Sequence, residues 1–390
     1  MAAHDALQGT DLYQLDELLS EEQLLVRRTV RAFVQEELMP VIQAHFRKGT
    51  FPASLVPRMG ELGILGANLS GYGCAGMDAV AYGLALQELE RCDSGIRSFV
   101  SVQGALCMFP VHEFGSEEQR QRWLPKMATG ELVGCFGLTE PDFGSDPGGM
   151  RTTARQDGDS WVLNGSKMWI TNGTQAHLAI VWAKTGQGQE SVRGFVVERG
   201  TPGFSVGRKL DKMGIKASPT GEVVFEDCIV PAANVLGRVD DGIAVMMSGL
   251  DIERVVVAGI SLGIAEAAFA ESLKYSKERS QFGKPICQFE LIQAKLADMY
   301  TGIETARAFL YGVAERTGKA ERLRKESAAA VLYAAEMATK VCLEAIQIHG
   351  GYGYMMEYPV NRYLRDAKLM EIGAGTSEIR RILIAKELIG

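Results

Sequence analysis

The stretch "LVGCFGLTE" (residues 132–140) marks where the character of the chain changes. It is followed by "WVLNGSKMWITN" (161–172), "HLAIVWAKT" (177–185), "RGFVVERG" (193–200) and "GEVVFEDCIV" (221–230). These runs are short, rich in β-branched and aromatic residues, and separated by Gly, Asn, Asp and Pro turns, so they predict a compact antiparallel β domain.

On either side the period is helical. In "SEEQLLVRRTVRAFVQEELMPVIQ" (20–43) Leu24, Val30, Phe33 and Val34 recur at three and four residues behind Ser20, a candidate N-cap. Further helices are expected at 53–63, 77–93, 98–112 and 117–128, with "GYGCAG" (71–76) as a loop. After Pro231 long helical periods return, at about 241–280, 288–317, 320–349 and in a last helix to 389, and four such helices predict a four-helix bundle. Segregated runs of this kind indicate an α+β protein rather than alternating βαβ units. The expected division is an N-terminal helical domain (1–130), a middle β domain (131–238) and a C-terminal bundle domain (239–390).

Composition narrows the function classes. The chain has 390 residues, 46% apolar and 23% charged, enough to bury a large core. Its net charge of -7 argues against a nucleic-acid partner, which calls for a basic footprint. Seven scattered cysteines without CxxC spacing read as thiols of a reducing compartment, and no metal site is expected. Residues 1–20 show no signal or transit pattern, which suits a cytoplasmic protein, or a mitochondrial matrix protein if the chain is eukaryotic and processed. The apolar run at 255–270 is interrupted by Ser261 and Glu266 and is a core helix, so no membrane insertion is expected.

Four stretches could carry chemistry. "FGLTEPDFGSDPGG" (136–149) offers Thr139, Ser145 and glycine peptide NH groups to a heterocycle or a phosphate, and equally suits a polar turn. "WITN" (169–172) could set a tryptophan against a planar ligand beside Thr171, although a β-domain tryptophan is more often core. "SKERSQFGKPICQFELIQ" (276–293) presents Arg279 and Gln281, suited to a pyrophosphate, around a turn that could be merely solvated. "QIHGGYGY" (347–354) is a glycine-rich break without the βαβ context of a Rossmann site.

Together these strings resemble the acyl-CoA dehydrogenase family over essentially the whole chain, with "GLTEPDFGSD", "WITN", "ERSQFGKPI", "IQIHGGYGY" and "GTSE" in order. The resemblance implies FAD held between the β domain and the bundle of a homotetramer. It implies flavin contacts from Phe136, Leu138, Thr139, Ser145, Trp169 and Thr171, and pyrophosphate contacts from Arg279 with Gln281. Gln347, Gly350 and Gly351 would come from the partner subunit, and Thr376 and Glu378 would reach the adenosine half. Glu290 stands where the family often has glutamine, so that position is not assigned to the cofactor.

The family reaction removes a proton from the acyl α-carbon while the β-hydride goes to flavin N5. Many members keep the base in a Tyr-Glu-Gly-Thr loop, but here the run is Gly373, Ala374, Gly375, Thr376. A subgroup that includes isovaleryl-CoA dehydrogenase keeps its glutamate within a string resembling "MSGLDIERVVVAG" (247–259), which implies Glu253 as base. Ser145, Arg97, Asp251 and Arg254 are the implied substrate contacts. The second half of the chain is similar to the isovaleryl enzymes. The first half, with "ELERCDSGIRSFVSVQG" (88–104), is similar to the glutaryl enzymes, whose arginine matching Arg97 holds a carboxylate. The expected substrate is therefore a short branched or carboxylated acyl-CoA, with an electron-transferring flavoprotein as acceptor. Decarboxylating oxidation, a carrier-protein thioester and a non-catalytic assembly subunit are the alternatives. Arg97 could instead pair with Asp93 or Glu90.

Overall fold

The computed structural model describes residues 15–188, 190–237, 242–317 and 323–390, and within these the side chains of 15–16, 243–244, 247–258, 315 and 317 lie outside the description.

Helix α1 (Glu21–Phe33) opens on a reciprocal cap: the Ser20 hydroxyl accepts from the Gln23 amide and the Gln23 side chain accepts from Ser20 N. It continues through a wider turn at Val34–Leu38 into α2 (Met39–Lys48). Then follow α3 (Val56–Glu61), α4 (Ala79–Cys92), α5 (Ser94–Ser101), α6 (Phe109–Phe114) and α7 (Glu117–Ala128). The helix expected at 98–112 starts earlier, because Asp93 Oδ1 accepts from the amides of Gly95 and Ile96 and caps α5. The expected loop at 71–76 is pinched into a ribbon in which Ser70 faces Ala75 and Gly71 faces Cys74.

Eight strands form one sheet: β1 (Gly134–Gly137), β2 (Thr153–Asp157), β3 (Ser160–Thr171), β4 (Leu178–Lys184), β5 (Val192–Glu198), β6 (Phe204–Lys209), β7 (Thr220–Pro231) and β8 (Val235–Leu236). Their order is β8-β5-β4-β2-β3-β7-β6, with β1 beside β4. The pairing is antiparallel apart from β1, which runs parallel to β4 from Gly134 opposite Leu178, and a single parallel bridge between β2 and β4. The inner face packs Trp161, Leu163, Phe195, Phe225 and Val230.

The bundle consists of α8 (Gly242–Glu278), α9 (Glu290–Thr317) and α10 (Arg324–His349), followed by α11 (Val360–Met370) and by α12 (Ser377–Ile389), the last helix expected to run to 389. The break between α11 and α12 has a backbone cause. Ala374 and Gly375 take φ of 53° and 96°, which no right-handed helix accommodates, and Thr376 then caps a new helix through the Ile379 amide. Both pieces lie against α10.

The N-terminal helices and the bundle share one core that includes Leu89, Phe99, Leu262, Met299 and Ala338. Inside it Glu266, on α8, accepts from Gln87 Nε2 and Arg91 Nη1 at 2.8 and 2.7 Å and forms an ion pair with Arg307 Nη2 at 2.8 Å. The charge that interrupts the apolar run of α8 thus joins α4, α8 and α9. Among the described residues no helix is long and apolar enough to cross a membrane, and no cluster of His, Cys, Asp or Glu is arranged to hold a metal ion.

The helical layer also meets the β domain closely at α5. A Cβ added at Gly95 would stand 2.7 Å from Ser218 N and 3.0 Å from Ala217 C, backbone atoms with no room to yield. Gly95→Ala is therefore expected to cost ~1–3 kcal/mol, as overpacking does. A lowered thermal midpoint checks it, and an unchanged midpoint would show that the two layers separate freely.

Candidate active site

Two chain segments build one edge of the β domain. Strand β1 delivers Phe136, half-buried and edge-on to Trp182 at 6.1 Å, and then Leu138 and Thr139. Alongside, β3 delivers Trp169 and Thr171. The register of β3 against β7 shifts between Lys167 and Ile170, and within that shift Trp169 adopts φ 58°. The bulge turns the indole outward, and it is 60% exposed. Trp169 is therefore not a core residue. A left-handed φ on a bulky aromatic, with its ring left in solvent, is backbone strain of the kind that collects at ligand sites.

The two segments are tied together below the surface. Met168 N donates to Thr139 O at 2.8 Å, and Lys167 Nζ donates to Leu138 O at 3.1 Å and to Glu140 Oε1 at 2.8 Å. Lys167 and Glu140 are buried. Neither was singled out in the sequence, although a lysine in "SKMWITN" and a glutamate in "GLTE" are charges inside apolar strands. Ser145, in the following loop, is exposed.

A second polar group forms at the ends of the bundle helices. Arg279 follows α8 directly, Ser280–Gln281 and Lys284–Pro285 pair as a small hairpin, and the Arg279 guanidinium lies 5.8 Å above the Tyr352 ring. Gln281 is exposed, its amide donating to Ser280 O, and Phe282 at the hairpin tip is 95% exposed. Gln347, Gly350 and Gly351 are exposed at the end of α10, with no atom within 4 Å of a Cβ built on either glycine. His349 anchors that turn: it stacks on Tyr275 at 4.3 Å and bonds to Ala345 O, and burial holds its imidazole below the ordinary value despite that bond. Glu290 is the first residue of α9, where a carboxylate suits the helix dipole. Thr376 is half-buried as the cap of α12, and Glu378 is exposed in its first turn.

Among the described residues no hydrogen bond or ring contact joins the Trp169 edge to the Arg279–Tyr352 group.

At the acyl end, Glu253, Asp251 and Arg254 lie on α8, and their side chains fall outside the described residues. Arg97 is buried, its Nε donating to Glu90 Oε2 at 2.6 Å and its Nη1 to Ser101 Oγ at 3.1 Å. Its Nη2 faces the Met370 sulfur at 3.9 Å, immediately before the 371–376 turn. The partner is thus Glu90, two turns back along the chain, while Asp93 caps α5 and lies 3.8 Å from Arg362. Burial pushes the Glu90 carboxyl up, the Arg97 charge opposing it.

The chain matches three family models in order: acyl-CoA dehydrogenase N-terminal domain at residues 20–131, middle domain at 135–228 and C-terminal domain at 240–389. It is 42% identical to the short-chain specific acyl-CoA dehydrogenase of Mus musculus over 97% of this chain and 92% of that protein. It is also 42% identical to the isovaleryl-CoA dehydrogenase of Pongo abelii, over 94% of this chain and 89% of the relative. A glutaryl-CoA dehydrogenase from Mycobacterium smegmatis, solved in complex with FADH2, superimposes with a TM-score of 0.94 at 40% identity and covers 97% of both chains.

Proposed function

The chain belongs to the acyl-CoA dehydrogenase family, and from that premise we propose that it is an FAD-dependent enzyme that dehydrogenates a short branched or carboxylated acyl-CoA between Cα and Cβ, with Glu253 as the base. The outward Trp169 indole, set by a bulge beside Leu138 and Thr139, is the observation that carries this proposal.

The residues present fit FAD. An exposed indole on a strained strand end gains by covering a planar ring, and Thr139 and Thr171 offer hydroxyls beside it. Arg279 and Gln281 are exposed donors suited to a pyrophosphate, and the bare glycines 350 and 351 let a second chain or a ligand approach the backbone. A homotetramer in which neighbouring subunits complete each site follows the pattern that the family resemblance implies. A protein of monomeric size by light scattering would contradict it.

When bound, FAD accepts the substrate's β-hydride at N5. The chain's own residues do the rest. Glu253 takes the α-proton, which calls for a carboxylate desolvated enough to raise its pKa toward that of the thioester. Ala374 supports this assignment: it occupies a left-handed turn where many relatives place their glutamate, and the resemblance to the isovaleryl enzymes implies Glu253 on α8 in its stead. Backbone NH groups near the thioester oxygen stabilise the developing enolate charge.

Glu90 neutralises Arg97 within the buried cluster, so the pocket does not require a substrate carboxylate to balance that charge. A branched, uncharged acyl group is the first choice. The carboxylated acyl group remains the second, because Arg97 Nη2 has the soft Met370 sulfur as its neighbour, which a carboxylate would outcompete as acceptor.

Anaerobic flavin bleaching of the purified protein by straight, branched, cyclic and dicarboxylic acyl-CoAs tests the proposal. Bleaching by a branched short acyl-CoA is expected. Bleaching by a dicarboxylic acyl-CoA with release of carbon dioxide would establish the decarboxylating alternative, and a colourless protein would indicate the non-catalytic subunit. Reoxidation of the bleached protein by an electron-transferring flavoprotein checks the acceptor.

A further inference from the structure

We propose that the buried Lys167–Glu140 pair is a positioning device for the flavin site: it holds the Leu138–Thr139 segment at a set distance from Trp169 and Thr171, so that the edge is preorganised for the isoalloxazine. The proposal rests on the FAD assignment above. Its basis is the convergence of bonds on these two side chains. Lys167 is the last regular residue before the bulge that turns Trp169 outward, and its side chain is fully buried. Its ammonium reaches both the carbonyl of Leu138 and the carboxylate of Glu140. Glu140 Oε1 also accepts from Thr152 N at 2.9 Å and from the Thr152 hydroxyl, while Oε2 accepts from Arg151 N at 2.6 Å.

Three segments therefore meet at one charge pair: the β1 exit with Leu138 and Thr139, the β3 bulge with Trp169, and the approach to β2 at Arg151–Thr152. Glu140 and Phe143 also exchange backbone bonds, closing a turn that leads to Ser145. A pair placed only for stability could stand at any point of the sheet, and apolar residues of the same volume would serve as well. This one bonds the carbonyl of a residue that itself lines the ligand edge. Burial brings the lysine down to about 8, and Glu140 partly offsets that effect.

The test compares FAD binding with the fold's own stability. Lys167→Met/Glu140→Gln removes both charges, leaving no unpaired ion in the interior, but it also removes the bond to Leu138 O. The expected result is an FAD-free protein that melts within a few degrees of wild type, binds FAD about ten- to hundred-fold more weakly, and shows a shifted flavin absorption band. Wild-type affinity and spectrum in the double variant would overturn the proposal, as would a loss of affinity matched by an equal loss of FAD-free stability. If the double variant does not fold, Lys167→Arg keeps the charge and moves the donors. Weaker FAD binding by that folded variant supports positioning, and unchanged binding overturns it. A wild-type protein that binds no FAD overturns the underlying assignment as well, whereas wild-type binding with indifferent variants overturns only the role of the pair.

Discussion

Glu253→Gln is expected to keep FAD and lose turnover by a factor on the order of 10²–10⁴, the usual contribution of a positioned general base. The amide preserves size and leaves α8 undisturbed, so the flavin content and the absorption spectrum should match wild type. Substrate binding should persist, because thioester hydrogen bonds and acyl packing do not require the carboxylate's charge. The loss should therefore appear in kcat rather than in KM, as for an interaction made only in the transition state. Rapid-reaction flavin reduction under anaerobic conditions measures the step directly. Near-normal reduction would remove Glu253 from the mechanism and return attention to the 371–376 turn, where Ala374 offers no acid.

Glu266→Ala is expected to produce the largest loss of stability. Glu266 is only 2% exposed, accepts from the Gln87 amide and the Arg91 guanidinium of α4, and forms an ion pair with Arg307 of α9. Removing the carboxylate leaves Arg91 and Arg307 without the acceptor they share, and breaking a buried pair in this way costs ~3–5 kcal/mol. The urea midpoint and thermal midpoint should fall together. Replacing Arg91 and Arg307 by methionine along with Glu266 should recover much of the loss, since it is the orphaned charge that is costly. The pH dependence carries a sign. Burial acts to raise the Glu266 pKa, but Arg307 and Arg91 outweigh it and hold it below the ordinary 4.5. A carboxyl held low in the folded state stabilises above its unfolded value and loses that contribution as pH falls through the lowered one. The gap between wild type and Glu266→Ala should accordingly be full above pH 4.5 and narrow in acid, and a gap that widens in acid would contradict the charge pairing.

The same local physics explains how much was legible in the chain. Hydrophobic period depends on a residue's near neighbours, so the order of helices, strands and bundle followed from runs such as "LVGCFGLTE" and "SEEQLLVRRTV". Caps are equally local. Ser20 was visible as one, whereas Asp93 falls at the end of the helix expected at 77–93, and the next helix was expected only from 98. The small-residue run Gly373–Thr376 marks the start of the last helix in the sequence, while the left-handed φ of 53° at Ala374, against alanine's helix preference, is visible only in the structure.

The sequence by itself determined the family and the order of the elements. The tertiary structure alone decided the pairings: Arg97 with Glu90, Glu266 among Gln87, Arg91 and Arg307, and Lys167 with Glu140 beneath Trp169. A charge carries no local signal of its partner. Which acid meets which base depends on how distant elements approach, and burial then makes each meeting count far more than it would in water.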